Sequence, residues 1–124
     1  MGRGRPKEHG DPKDRFFVGQ PRGDTIILED VTTTGSSLLS AIESLAQIKV
    51  RPIAAIGLTN RMEKNDSGIP VCDAIAAKGI PYHAMSNALE LLPLACKKQK
   101  PNTQIVKSIE KEFQEYGVSP LNLS

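Results

Sequence analysis

No apolar run in this chain approaches the roughly eighteen residues that a membrane span requires, and the N-terminus lacks the apolar centre of a signal peptide. A cytoplasmic setting without membrane attachment is the expectation. Charge of one sign is also scarce: sixteen basic against fourteen acidic residues leave a net charge of +2, too small to imply a polyanionic partner. Any affinity for phosphate must therefore be local. Only two cysteines are present, Cys72 and Cys96, far apart and without metal-ligand spacing. Both lie among apolar residues and are expected to be reduced packing residues. There are no internal repeats, and 124 residues suffice for one domain with one core. Neither a Gly-x-x-x-x-Gly-Lys-Ser/Thr loop nor a Gly-x-Gly-x-x-Gly turn follows a strand, which removes the two commonest nucleotide cradles.

What is there alternates between short aliphatic runs and helical stripes. Residues 1–24 hold five glycines, three prolines and many charges, and read as a mobile loop with at most a short strand around Phe16 to Val18. Thr25 to Leu28 is β-branched and unalternating, as expected of a parallel strand buried on both faces, and it runs into Glu29-Asp30. Leu38, Leu39, Ile42, Leu45 and Ala46 recur at helical spacing and predict a helix ending near Gln47 to Lys49. Val50 to Leu58 is a second strand, with Pro52 near its start.

The polar stretch Thr59 to Pro70 predicts an exposed loop, followed by a short helix over Val71 to Lys78 with Gly79 as its C-cap. Ile80 to Ala84 reads as a third strand, with His83 packing on the core. Asn87 and Glu90 form a capping box for a helix that must accommodate or end at Pro93. Ile105, Ile109 and Phe113, with Val106 and Tyr116, predict a closing helix between Asn102 and Gly117. That stripe, with Met62 and Met85, is expected to be core or interface. Strands and helices in this order indicate an α/β fold, a parallel sheet with flanking helices. The α/β domain spans residues 25–124, after the loop region 1–24.

Chemistry concentrates at the first strand-to-helix turn, Thr32-Thr33-Thr34-Gly35-Ser36-Ser37. Ligands bind such junctions because backbone N–H groups and the helix dipole converge there. Gly35 permits close backbone approach, and the hydroxyls of Thr33, Thr34, Ser36 and Ser37 can donate to a phosphate dianion. Glu29 and Asp30 just before the turn would repel phosphate unless they face something else. Ribose hydroxyls or a magnesium ion are the natural candidates, so the layout suits a phosphorylated ribose.

The stretch Ile26-Ile-Leu-Glu-Asp-Val-Thr-Thr-Thr-Gly-Ser-Ser37 resembles the binding motif of type I phosphoribosyltransferases, and its flanks resemble the orotate phosphoribosyltransferases in particular. Upstream, Arg5-Pro-Lys-Glu-His-Gly10 is similar to the family's mobile catalytic loop, with Lys7 and His9 at its lysine and histidine positions. Downstream, Gly57-Leu-Thr-Asn-Arg61 is similar to the strand end that supplies an arginine to the orotate carboxylate.

The resemblance implies transfer of phosphoribosyl from phosphoribosyl pyrophosphate to orotate, giving orotidine monophosphate and pyrophosphate in pyrimidine nucleotide biosynthesis. It implies that Glu29 and Asp30 meet the ribose hydroxyls, with Asp30 also catalytic. Val31, Thr32, Thr33, Thr34, Gly35, Ser36 and Ser37 would hold the donor's 5-phosphate region, and Thr33 and Arg61 the orotate. Arg3, Lys7 and His9 would neutralise the departing pyrophosphate, in a neighbouring subunit's site of a homodimer that shares its loops. Magnesium would be the cofactor, carried by the substrate without a direct protein site.

Two positions depart from the family's pattern: Gly4 stands where the loop usually has an earlier lysine, and Asn60 where an aspartate usually precedes the arginine. The resemblance covers nearly all of this chain but only about the later half of the family's fold. A fragment, a truncated product or a form completed by oligomerisation is expected, with the first strand left at an uncovered edge. Two other readings compete: a non-catalytic module that keeps the phosphoribosyl pyrophosphate site, and an AT-hook in Gly2-Arg-Gly-Arg-Pro-Lys7. Glu8, Asp11 and Asp14 oppose the DNA reading, and the hook explains nothing downstream.

Overall fold

A computed structural model describes residues 1–2, 5–10 and 15–124. Its elements follow in the order β1 (Thr25–Thr32), α1 (Ser36–Gln47), β2 (Pro52–Asn60), α2 (Val71–Ala76), β3 (Tyr82–Asn87), α3 (Ala88–Gln99) and α4 (Thr103–Tyr116). The three strands make one parallel sheet in the order β1-β2-β3. Each parallel neighbour is reached through a helix, as a parallel pairing demands. Among the described residues the sheet has no strand beyond β1, so the expected uncovered edge is present.

Side chains alternate across the sheet, and only one face is covered. On it Leu38 and Ile42 of α1, Val71 and Ile75 of α2, Ile80 and Ala55 form the buried cluster, with Ile27, Leu39 and Tyr82 packed against it. Leu45 is buried at the far end of α1. On the other face Ile26, Leu28, Leu58 and Met85 are 48, 73, 52 and 75% exposed. β1 was expected to be buried on both faces, and this is corrected: its apolar run is covered on one face, through Ile27, and meets no second covering layer among the described residues. Met85 likewise is not core.

Helix ends match local chemistry well. Asn87 caps α3 by accepting from the Glu90 N–H at 3.0 Å, and Asn102 caps α4 by accepting from the Ile105 N–H at 2.9 Å. Pro93 sits inside α3 as its sixth residue, beyond the first turn, so the helix goes on without the i→i−4 bond that this N–H would make. The short α2 ends at Ala76 with Ala77 as its C-cap, and Gly79 follows at φ 75°, taking the left-handed turn toward β3.

Three further expectations change. Cys72 is exposed and Cys96 half-buried; both thiols are free, but neither belongs to the buried core. His83 is exposed because its position on β3 points it away from the covered face. The apolar stripe of α4 buries only Phe113, while Ile105 and Tyr116 are about half exposed. α4 is anchored instead through backbone bonds at its end, Lys64 N–H to Tyr116 O and Val118 N–H to Met62 O, both 2.8 Å. Around Phe16 to Val18 there is no strand but an antiparallel bridge between Gly2 and Phe17, whose ring is buried.

The one-sided core predicts unequal costs on the two faces. Leu38→Ala should lower unfolding stability by about 2–5 kcal/mol, whereas Leu28→Thr on the open face should change it by no more than about 0.5 kcal/mol. Urea denaturation followed by circular dichroism measures both, and a comparable loss at Leu28 would mean that this face is covered in solution.

Candidate functional site

β1 runs four residues further than its apolar pattern suggested, so Glu29, Asp30, Val31 and Thr32 are strand residues and the turn is reduced to Thr33, Thr34 and Gly35. Pairing with β2 carries this extension: Glu29 lies opposite Gly57, Val31 opposite Thr59 and Thr32 opposite Asn60. The two carboxylates therefore project from a rigid sheet edge, immediately ahead of a helix N-terminus.

Gly35 precedes α1 with φ 81° and no side-chain cap. The positive φ suits glycine, and a Cβ there would also lie 2.4 Å from Val71 Cγ2. The first N–H groups of α1 thus face outward without a capping side chain, which is the arrangement that binds anions. Ser36 and Ser37 are exposed beside them, Thr33 and Thr34 half-exposed, and the Thr34 hydroxyl donates weakly to Ser36 Oγ at 3.4 Å.

The two carboxylates differ in environment. Glu29 accepts from the Thr32 hydroxyl at 3.1 Å through one oxygen and from the Ser37 hydroxyl through the other. It is held from below by the strand and from the side by the helix start. Asp30 is exposed, and one of its oxygens accepts from the Val31 N–H at 2.8 Å. Thr32 is fully buried with its hydroxyl committed to Glu29, so its side chain braces the site rather than facing the solvent.

Arg61 joins the site through the backbone: its N–H donates to Thr32 O at 2.9 Å, just beyond the last pair of the β1·β2 ladder. Its guanidinium pairs with Glu63 at 2.6 Å, the two side chains being 49 and 17% exposed. Such a half-exposed pair is worth at most about 1 kcal/mol and can exchange partners. Asn60 is buried and accepts from the Met62 N–H at 2.8 Å, closing a turn that places Met62 at φ 60°. It shapes the chain around Arg61 without contacting the guanidinium. A cavity of about 510 Å³ opens beside Arg61 and Glu63, lined also by Leu91, Leu92, Ile109 and Phe113.

Lys7 and His9 are exposed, and among the described residues neither makes a hydrogen bond or ion pair to the turn. The Lys7 side chain folds back toward Gly10. Arg3 lies outside the described residues. Two residues that sequence reasoning passed over contribute here, Gly57 and Tyr82. A Cβ on Gly57 would lie 2.7 Å from Thr32 Oγ1 and 2.6 Å from the Tyr82 hydroxyl. Nothing in the local sequence signals this, because the three residues sit on three different strands.

A parallel sheet thus brings one uncapped helix N-terminus, two carboxylates before it and an arginine beyond the adjoining strand to one rim, an arrangement able to take an anion beside hydroxyl groups. Comparison with known proteins gives the family. Orotate phosphoribosyltransferase of Bradyrhizobium diazoefficiens is 33% identical over 96 residues, 73% of this chain and 47% of that protein. The Sorangium cellulosum enzyme of the same name is 34% identical over 91 residues, covering 70% of this chain and 43% of its own length. No family model matches.

Solved structures agree in fold. Mycobacterium tuberculosis orotate phosphoribosyltransferase superposes with a TM-score of 0.58 at 22% identity, covering 73% of this chain and 48% of that one. Leishmania donovani UMP synthase gives 0.57 at 23% identity, over 75% and 21% of the two chains. The chain is thus homologous to the C-terminal region of orotate phosphoribosyltransferases, and it spans about half the length of the curated relatives it matches.

Gly35 is the position where backbone and packing constraints coincide. Gly35→Ala should cost about 1–3 kcal/mol from the left-handed backbone, with the Val71 clash added. In a double-mutant cycle by chemical denaturation, Val71→Ala should recover part of the Gly35→Ala loss. Simple additivity would show that the two residues do not meet.

Proposed function

We propose that the whole protein transfers phosphoribosyl from phosphoribosyl pyrophosphate to orotate, and that this chain carries the ribose-phosphate site. The observation that carries the reading is the braced Glu29 and solvent-facing Asp30 standing directly before the uncapped N-terminus of α1. The helix start and the hydroxyls of Thr33, Thr34, Ser36 and Ser37 receive the 5-phosphate, with Gly35 letting it approach the backbone. Glu29 and Asp30 accept from the ribose hydroxyls. Arg61 exchanges Glu63 for the orotate carboxylate, a bidentate task suited to guanidinium.

Magnesium would arrive on the substrate, whose diphosphate supplies oxygen ligands, with Asp30 the exposed carboxylate beside the turn. Carried there, it would neutralise charge on the departing pyrophosphate. Lys7 and His9 add positive charge from a neighbouring subunit of a homodimer, and the setting is cytoplasmic.

The test separates binding from turnover. Asp30→Asn should reduce magnesium-dependent binding of phosphoribosyl pyrophosphate at least about tenfold, the cost of a charge-assisted hydrogen bond. Arg61→Ala should raise the KM for orotate and leave that binding unchanged. Orotidine monophosphate release that is indifferent to Asp30→Asn would sink the site assignment.

A further inference from the structure

The hydroxyl of Tyr82 is buried and, among the described residues, has no hydrogen-bond partner. A buried unpartnered hydroxyl costs about 1–3 kcal/mol, and phenylalanine would fill the same space without it. The position of the group suggests what it is for. Tyr82 lies opposite Ala55 on β2, and its ring reaches along the covered face to Gly57. There its oxygen and Thr32 Oγ1 share the space that a Cβ would occupy, at 2.6 and 2.7 Å. Only glycine on β2 leaves room for both.

Thr32 is fully buried and donates its one hydroxyl proton to Glu29 Oε2 at 3.1 Å, which leaves its oxygen able to accept. Burial pushes the Tyr82 hydroxyl above its ordinary range, the Thr32 hydroxyl opposes that rise, and the Glu29 charge adds to it. The phenol therefore sits within electrostatic reach of the carboxylate, with the threonine between them.

We propose that Tyr82 is a positioning residue for the ribose-binding carboxylate: its hydroxyl donates to Thr32 Oγ1, Thr32 donates to Glu29, and the relay aims Glu29 at the ligand's hydroxyls. The alignment completes when ligand binds, as polar contacts in ligand-free sites commonly do, and each bond in the row polarises the next. This inference rests on the reading of the turn as a ribose-phosphate site, and it adds a residue from β3 that touches no ligand.

Calorimetry with two probes tests it on the chain as it stands. Tyr82→Phe and Thr32→Val should weaken ribose 5-phosphate binding about three- to tenfold, the worth of one hydrogen bond. Binding of inorganic phosphate should be unchanged, and Thr32→Ser should restore the ribose ligand. Equal weakening of both probes, or none, would overturn the relay. A parent chain that binds phosphate but gains nothing from ribose would overturn the underlying site reading instead. A ligand-free measurement stands beside these. With Tyr116→Phe leaving Tyr82 as the lone tyrosine, ultraviolet titration should show its ionisation falling in pH with Glu29→Gln, because the Glu29 charge raises it. Ionisation indifferent to that substitution would overturn the relay whatever the ligand result.

Discussion

Parallel pairing of β1 with β2 is the constraint on which the rest of the structure depends. It extends past the apolar part of β1 through Glu29 and Thr32, and the Arg61 N–H to Thr32 O bond closes it. That pairing lifts the carboxylates to the sheet's edge, buries Thr32 beneath them and delivers Arg61 to the same rim. A one-residue slip of β1 would turn Glu29 and Thr32 together away from Gly57 and Tyr82, since side chains alternate in direction. The site is therefore a property of register.

Around that pairing the molecule is asymmetric. One face of the sheet is packed by α1 and α2, and glycines at 35 and 57 mark where the Val71 side chain and the Thr32 and Tyr82 oxygens, respectively, come too close for a Cβ. The other face leaves Ile26, Leu28, Leu58 and Met85 in solvent, and among the described residues β1 has an unpaired edge. The buried face still suffices to hold the turn, since the two residues bonded directly to Glu29, Thr32 and Ser37, lie on β1 and at the start of α1.

The site illustrates how stabilising and functional polar groups are shared. Glu29 is tied at both oxygens and Asp30 is open, so adjacent acids of the same charge have different work. Arg61 is held by a pair weak enough to trade, while Asn60 spends its side chain on the turn at Met62. None of these distinctions follows from residue type.

The sequence by itself determined the strand-helix alternation, the helix caps at Asn87 and Asn102, and the turn around Gly35. Each of these depends on neighbours within a few positions, where periodicity and side-chain-to-backbone bonds operate. Tertiary structure alone decided that β1 is exposed on one face, that the stripe of α4 is mostly uncovered, and that His83 and Cys72 face solvent. It also decided that Thr32 is buried and bonded to Glu29 rather than facing solvent, and that Gly57 and Tyr82 lie against it. Burial and cross-strand proximity are set by what packs over an element, and residues 32, 57 and 82 meet only once three separate strands lie in register.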